Sequence, residues 1–322
     1  MHKVFITRNW HPNAVNLLSK YFEVKVWNKS RIPSTEEIIE NASDCFAIFT
    51  EFDDKINSKI IKSLKSLKVI SNRAVGYENI DINFANTHNI KIGNTPGILV
   101  ETCADFTMGL MLDLARNITF SNRAVTDGKW ISFDQTPYLG TDVYNKHLAI
   151  LGLGQIATAF ARRAVNGFGM KVSYWSRNRK PEIESELNLK YINSVNELVE
   201  SCDYLSIHCA LTDETYRIID KEQFKLMTNV KLINTSRGQT INQDELINAI
   251  NNGNIDSAAL DVTDPEPPDY KSDLVSHPKI LITPHLGSGS KETFNKMAEM
   301  AALNIINVFT NKKMPSEVVL QL

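Results

Sequence analysis

The run Leu148-Ala149-Ile150-Leu151 leads directly into Gly152-Leu153-Gly154-Gln155-Ile156-Ala157, and a helix-like stretch begins at Gln155. No other feature constrains the chain as strongly. A strand, a GxGxxA turn and a helix in that order form the phosphate corner of a dinucleotide-binding βαβ unit. Gly152 permits the tight turn. Gly154 lets the backbone approach a pyrophosphate, and the small Ala157 lets the helix pack close to the strand. The helix start, at Gln155 and Ile156, offers unpaired N–H groups and the positive end of the helix dipole. A glycine turn also serves structure alone. The α/β pattern on both sides of this one makes a cofactor site the stronger reading.

Strand-like and helix-like runs alternate over most of the chain. Before residue 100, strands are expected at Val4–Thr7, Phe22–Trp27, Cys45–Thr50, Lys68–Asn72 and Ile90–Ile92. Helices are expected at Pro12–Lys20, Thr35–Asn41, Asn57–Leu64 and Asp81–His88. From His147 a second series gives strands at His147–Leu151, Met170–Trp175, Tyr204–His208, Val230–Asn234, Ser257–Leu260 and Ile280–Thr283. This spacing predicts parallel sheets covered by helices, doubly wound in each half. Between the series lies one long apolar helix, expected from Val100 to Ala124, then a polar loop to Lys146. A last helix, about Lys291 to Thr310, follows the second series and is expected to cross back onto the first.

A length of 322 residues suits two domains. Apolar residues at 43% and charged residues at 22% are the balance of a soluble globular protein. Net charge is −2 with no basic stripe, which argues against nucleic acid. No apolar run approaches a membrane span. The four cysteines lack CxxC spacing and read as reduced thiols of a cytoplasmic protein. The seven histidines form no metal-ligand cluster, so no metal is expected. The richness in Asn, Lys and Ile reads as coding bias and receives no functional weight.

In NAD-binding units a carboxylate stands at the end of the next strand, where it holds the ribose 2′-hydroxyl. Here that place holds Ser176-Arg177-Asn178-Arg179. A hydroxyl and two guanidinium groups, at Ser176, Arg177 and Arg179, suit a 2′-phosphate, which favours NADPH and leaves NADH open. Three further strand ends carry Ile233-Asn234-Thr235-Ser236-Arg237-Gly238, then Leu260-Asp261-Val262-Thr263-Asp264-Pro265-Glu266-Pro267, and Thr283-Pro284-His285-Leu286-Gly287. Ligands of open α/β sheets bind beyond such ends.

With Arg73-Ala74-Val75-Gly76-Tyr77-Glu78-Asn79-Ile80-Asp81, Asn94-Thr95-Pro96-Gly97, the stretch from Leu139 to Lys146 and Leu211-Thr212-Asp213-Glu214-Thr215, these segments resemble the D-isomer-specific 2-hydroxyacid dehydrogenase family. The likeness covers nearly the whole chain and is strongest to the glyoxylate/hydroxypyruvate (2-ketogluconate) reductase branch. It implies a flavodoxin-like substrate domain, residues 1–98 and 288–322, and a Rossmann cofactor domain, residues 99–287, with hinges near Gly97 and Gly287 and a cleft between. It implies a homodimer through the cofactor domain, and a small anionic 2-oxo acid as substrate. Arg237 would hold the substrate carboxylate, His285 would be the proton donor, and Glu266 would orient His285. The amides of Val75 and Gly76 would bind the same carboxylate. Asp261 would accept from the nicotinamide amide, while Cys209, Thr215, Thr235 and His285 would line the cofactor. The sequence departs from the family at Ala149, Ala210 and Thr263, and in a short loop from Trp130 to Leu139 that keeps Gln135 and Tyr138. Two other readings remain open: a 3-phosphoglycerate dehydrogenase-like enzyme and a nucleotide-sensing binding protein on the same fold.

Overall fold

The computed structural model describes residues 1–319, and the chain divides into two compact units. The first holds residues 1–99 and the described residues from Ser290 onward. The second is Val100–Gly289.

In the first unit, β1 (Lys3–Ile6), β2 (Glu23–Val26), β3 (Cys45–Thr50), β4 (Val69–Asn72) and β5 (Lys91–Gly93) form one parallel sheet. Their order is β2-β1-β3-β4-β5, the flavodoxin-like arrangement. Strands β3 and β4 are almost wholly buried, as expected for a parallel sheet covered on both faces. One apolar layer forms around Ile38, Ile60 and Ile70. The other forms around Leu18, Phe22 and the last helix, Lys291–Phe309. That helix does return to the first unit, and it packs on Pro12–Leu18 and β4. Beyond it, Glu317 bridges antiparallel to Gly93, and Val318 N donates to Ile92 O at 2.8 Å.

The second unit carries β6 (His147–Leu151), β7 (Lys171–Trp175), β8 (Lys190–Tyr191), β9 (Tyr204–Ile207), β10 (Val230–Asn234), β11 (Ile255–Leu260) and β12 (Ile280–Ile282). All pairings are parallel, in the order β12-β11-β10-β9-β6-β7-β8. Connections run one way from β6 through β7 to β8 and the other way from β9 to β12. The switch point therefore lies between β6 and β9, where such sheets bind dinucleotides.

Several elements differ from the sequence expectation. The single helix from Val100 to Ala124 is two helices, Val100–Arg116 and Ile118–Thr126. Asn117 between them adopts a left-handed φ of 54°, which asparagine tolerates better than most residues. Its side-chain amide donates to Leu139 O at 2.9 Å, and Ala115 O accepts Thr141 N at 2.7 Å. A loop crossing at Gly140 thus takes a carbonyl from the first helix's last turn. A Cβ at Gly140 would lie 2.1 Å from Ala115 O, so the crossing needs glycine. The helices Pro181–Leu187 and Asp273–Ser276 and the short β8 were not expected. Among the described residues, no helix is long and apolar enough to cross a membrane.

Candidate active site

The glycine turn stands at the end of β6. Gly152 has φ +95°, and a Cβ there would meet the Cys209 Cα and N at 2.7 Å. Glycine is needed twice over, for the backbone angle and for the close approach of the β9 end. Gly154 is the N-cap of helix Gln155–Phe168, has no side-chain cap, and faces open space. Ala157 is fully buried. An uncapped N-terminus of a 14-residue helix, open where a Cβ would otherwise stand, fits a dinucleotide pyrophosphate. Cys209 forms a wall of this corner, and burial pushes its thiol up to about 11, so it stays protonated. The Thr215 hydroxyl is engaged within its own loop: it donates to Ala210 O at 2.6 Å and accepts from Thr212 N at 2.8 Å. Thr215 therefore shapes the loop that follows Cys209. Thr235 pairs its hydroxyl with Thr107 at 3.2 Å.

At the end of β7, Ser176 donates to Asn178 O at 2.6 Å and is largely buried. Arg179 is held by Glu184 through Nε at 2.9 Å and Nη2 at 2.7 Å, and lies over the Tyr191 ring. Glu184 also accepts the Tyr174 hydroxyl at 2.6 Å. Arg177 is exposed, and among the described residues no carboxylate pairs with it. Of the two guanidinium groups, Arg177 alone stands without an acidic partner.

The loops after β10, β11 and β12 carry Arg237, Glu266 and His285. Asn234 and Thr240 fix the Arg237 backbone: Asn234 Nδ2 and Thr240 Oγ1 donate to its carbonyl at 3.0 and 2.7 Å. Arg237 Nη1 donates to Ser236 O at 2.8 Å. Next to it, a Cβ at Gly238 would lie 2.1 Å from the Thr263 carbonyl. This close crossing sets the Arg237 loop directly against the Glu266 loop. Glu266 Oε1 accepts Thr263 N at 3.1 Å, and Oε2 lies 3.1 Å from His285 Nδ1. Both side chains are about one-third exposed, at 33% and 30%.

His285 takes a left-handed φ of 53°, uncommon for a non-glycine residue. Asp261 holds it there. Its carboxylate accepts Thr283 Oγ1 at 2.6 Å and the backbone N–H groups of Leu286 and Gly287 at 2.7 Å each, and its carbonyl accepts His285 N at 3.1 Å. Burial raises the Asp261 carboxyl above its ordinary value, and these donors offset only part of that rise. Asp261 is thus the post on which the histidine loop is hung.

Val75 and Gly76 lie in the first unit, after β4. Arg73, just before them, is paired with Glu51 through Nε at 2.9 Å and Nη2 at 2.6 Å. Glu51 also meets His11 Nε2 at 2.6 Å. Burial alone would push the Glu51 carboxyl up, but the His11 hydrogen bond and the Arg73 charge outweigh it and hold it below the usual range. The carbonyls of Ala74, Val75 and Gly76 accept from Thr95 N, Asn94 Nδ2 and Asn72 Nδ2 at 2.8, 2.9 and 2.9 Å. Among the described residues nothing engages the N–H groups of Val75 and Gly76.

Sequence reasoning missed Gly238, Asn234, Asn72 and Asn94 as organisers of these loops. The glycine was visible beside Arg237, but its crossing partner Thr263 is 25 residues away in sequence, beyond any local pattern.

A dinucleotide corner at the switch point, with an arginine, a histidine and its carboxylate on neighbouring strand ends, defines a nicotinamide-dependent dehydrogenase. A family model, the NAD-binding domain of D-isomer specific 2-hydroxyacid dehydrogenases, matches residues 108–287. The chain belongs to that family. It is 37% identical over 321 residues to a glyoxylate reductase of Korarchaeum cryptofilum, covering 99% of this chain and 96% of that one. A crystal structure from Thermus thermophilus matches with a TM-score of 0.92 at 33% identity, covering 98% of this chain and 100% of that one. The NADPH-dependent glyoxylate/hydroxypyruvate reductase of Sinorhizobium meliloti, in complex with NADP and malonate, matches with a TM-score of 0.87 at 25% identity, covering 99% and 97%.

Proposed function

We propose that the protein reduces glyoxylate, hydroxypyruvate and similar short 2-oxo acids to the D-2-hydroxy acids, with NADPH as the preferred cofactor. The observation that carries this reading is the Glu266–His285 pair, with the His285 loop pinned by Asp261 and the Glu266 loop crossed closely by the Arg237 loop at Gly238. Gly152, Gly154 and the amides of Gln155 and Ile156 hold the pyrophosphate, with Cys209, Thr215 and Thr235 around it. When bound, the dihydronicotinamide supplies a hydride for the substrate's carbonyl carbon. Arg237 binds the substrate carboxylate and polarises the carbonyl, stabilising the negative charge that grows on its oxygen. His285 then gives that oxygen a proton from Nε2. Glu266, 3.1 Å from Nδ1, fixes the orientation of the ring so that Nε2 faces the substrate. Val75 and Gly76 donate their amides to the substrate carboxylate.

The NADPH preference rests on Arg177, which is exposed beside Ser176, and on the lack of an acid from Ser176 to Arg179. Arg179 takes part only by sharing itself with Glu184. The exposed side chains of Ile118, Phe120, Val125, Ile131, Phe133 and Leu139 lie on one stretch of the second unit, which supports burial against a second copy of the chain. A monomer's mass in light scattering would remove that part of the reading. All four cysteines are free and buried, which suits a reducing cytoplasm. The names carried by the relatives do not favour a phosphoglycerate dehydrogenase or a nucleotide sensor.

The test is a panel of short 2-oxo acids run in parallel with NADPH and NADH. Turnover of glyoxylate and hydroxypyruvate is expected, with kcat/KM at least about tenfold higher with NADPH, and an Arg177→Ser variant should shrink that ratio. Turnover of none of the acids would overturn the reading.

A further inference from the structure

A backbone amide can be aimed only by fixing the carbonyl of its own peptide. The peptide is planar and trans, so its N–H points opposite to its C=O. The peptide joining Val75 to Gly76 is held by its carbonyl, which accepts Asn94 Nδ2 at 2.9 Å. The Gly76 N–H therefore points away from Asn94. The backbone N–H of Thr95 does the same for the Val75 amide, through Ala74 O at 2.8 Å.

Asn94 is itself clamped. Its Oδ1 accepts Ser316 Oγ at 2.6 Å, its N–H donates to Ser316 O at 3.3 Å, and its carbonyl accepts Asn304 Nδ2 at 3.0 Å. Asn94 is 8% exposed and Asn304 is fully buried, so water has little room to replace either. Asn304 reaches Asn94 across Gly93, where a Cβ would lie 2.6 Å from its Nδ2. Every bond in this chain of contacts lies within the first unit.

We infer that Asn94, clamped by Ser316 and Asn304, is a positioning residue that aims the Gly76 amide at the substrate carboxylate. The inference rests on the reading of Val75 and Gly76 as carboxylate-binding amides. It makes the segment after the last helix a working part of the substrate site, through the Ser316 hydroxyl. A purely structural Asn94 would only tie that segment to β5, and its loss would lower stability without touching substrate affinity.

Asn94→Asp separates the two roles. The carboxylate keeps the acceptor used by Ser316 but turns a second oxygen toward the Val75 carbonyl. Two acceptors repel, the peptide plane turns, and the Gly76 N–H swings off target. Carboxylate binding is shared by ground and transition states, so KM should move more than kcat.

The experiment is steady-state kinetics of Asn94→Asp, Ser316→Ala and Gly76→Pro, with glyoxylate and NADPH varied separately and melting followed alongside. Asn94→Asp is expected to raise the glyoxylate KM by about tenfold or more, with the NADPH KM within about twofold. Ser316→Ala should raise the same KM by about two- to threefold. Gly76→Pro deletes the N–H itself and should raise it at least as much as Asn94→Asp. A rise with Gly76→Pro but none with Asn94→Asp overturns the positioning role and leaves the carboxylate reading standing. No rise with any variant overturns both. If Asn94→Asp does not fold, an unchanged glyoxylate KM in Ser316→Ala overturns the inference.

Discussion

His285→Gln is expected to lower kcat for glyoxylate reduction by about 10²- to 10⁴-fold, the usual contribution of a positioned general acid. Glutamine fills much of the same space and can still donate to Glu266 Oε2, which lies 3.1 Å from Nδ1 in the parent. It cannot release a proton to a forming alkoxide. The side chain is 30% exposed, so its replacement opens no core and melting should stay close to that of the parent. The backbone is the complication, because residue 285 has φ 53°. Asparagine tolerates this region best, so His285→Asn is the control that removes the acid without adding strain. Equal loss in both variants, measured by initial rates at saturating substrate, assigns the effect to proton transfer. Near-parental kcat in either would remove His285 as the acid.

Arg237→Ala is expected to lower kcat/KM by about 10²- to 10³-fold, as when a donor to a developing oxyanion is removed. The loop itself should persist. Its backbone is held by Asn234 and Thr240, and its crossing with Thr263 depends on Gly238. The loss should therefore appear in kinetics rather than in stability. Arg237→Lys separates charge from shape. A lysine restores one positive point but not the planar fork that matches a carboxylate, so it should recover only part of the loss. Full recovery by lysine would show that charge alone suffices.

The sheets were readable because parallel strands covered on both faces need continuous apolar runs, such as those at Cys45–Thr50 and His147–Leu151. The break in the helix after Arg116 was not readable from apolar periodicity, because one left-handed asparagine makes it. Asparagine explains more than this. Among the described residues, six of the eight non-glycine positions with positive φ are asparagines, at 89, 117, 145, 188, 229 and 311. Asn72, Asn94 and Asn234 tie down the loops of the two units. Treating the asparagine content as coding bias hid both uses.

The basic stretch after β7 shows the same limit. The sequence offers Ser176, Arg177 and Arg179 as equals. The unexpected helix Pro181–Leu187 brings Glu184 back onto Arg179, which leaves Arg177 as the one of the two guanidinium groups with no carboxylate partner among the described residues. That helix was hard to see because Leu187 is its only buried residue, so it carries almost no apolar stripe. The placement of Arg237, Glu266 and His285 after successive strands could be read from order alone. The Asp261 post beneath His285 could not, since its donors include backbone N–H groups that no side-chain pattern reveals.

The most direct test of the proposed reduction is the fate of the hydride. Purified protein is incubated with NADPH deuterated at the transferable C4 position and with hydroxypyruvate, and the product is analysed by mass spectrometry and chiral separation. The expected product is D-glycerate carrying one deuterium on its C2 carbon, formed in step with NADP⁺. Cofactor binding without deuterated product, or formation of the L enantiomer, would contradict it.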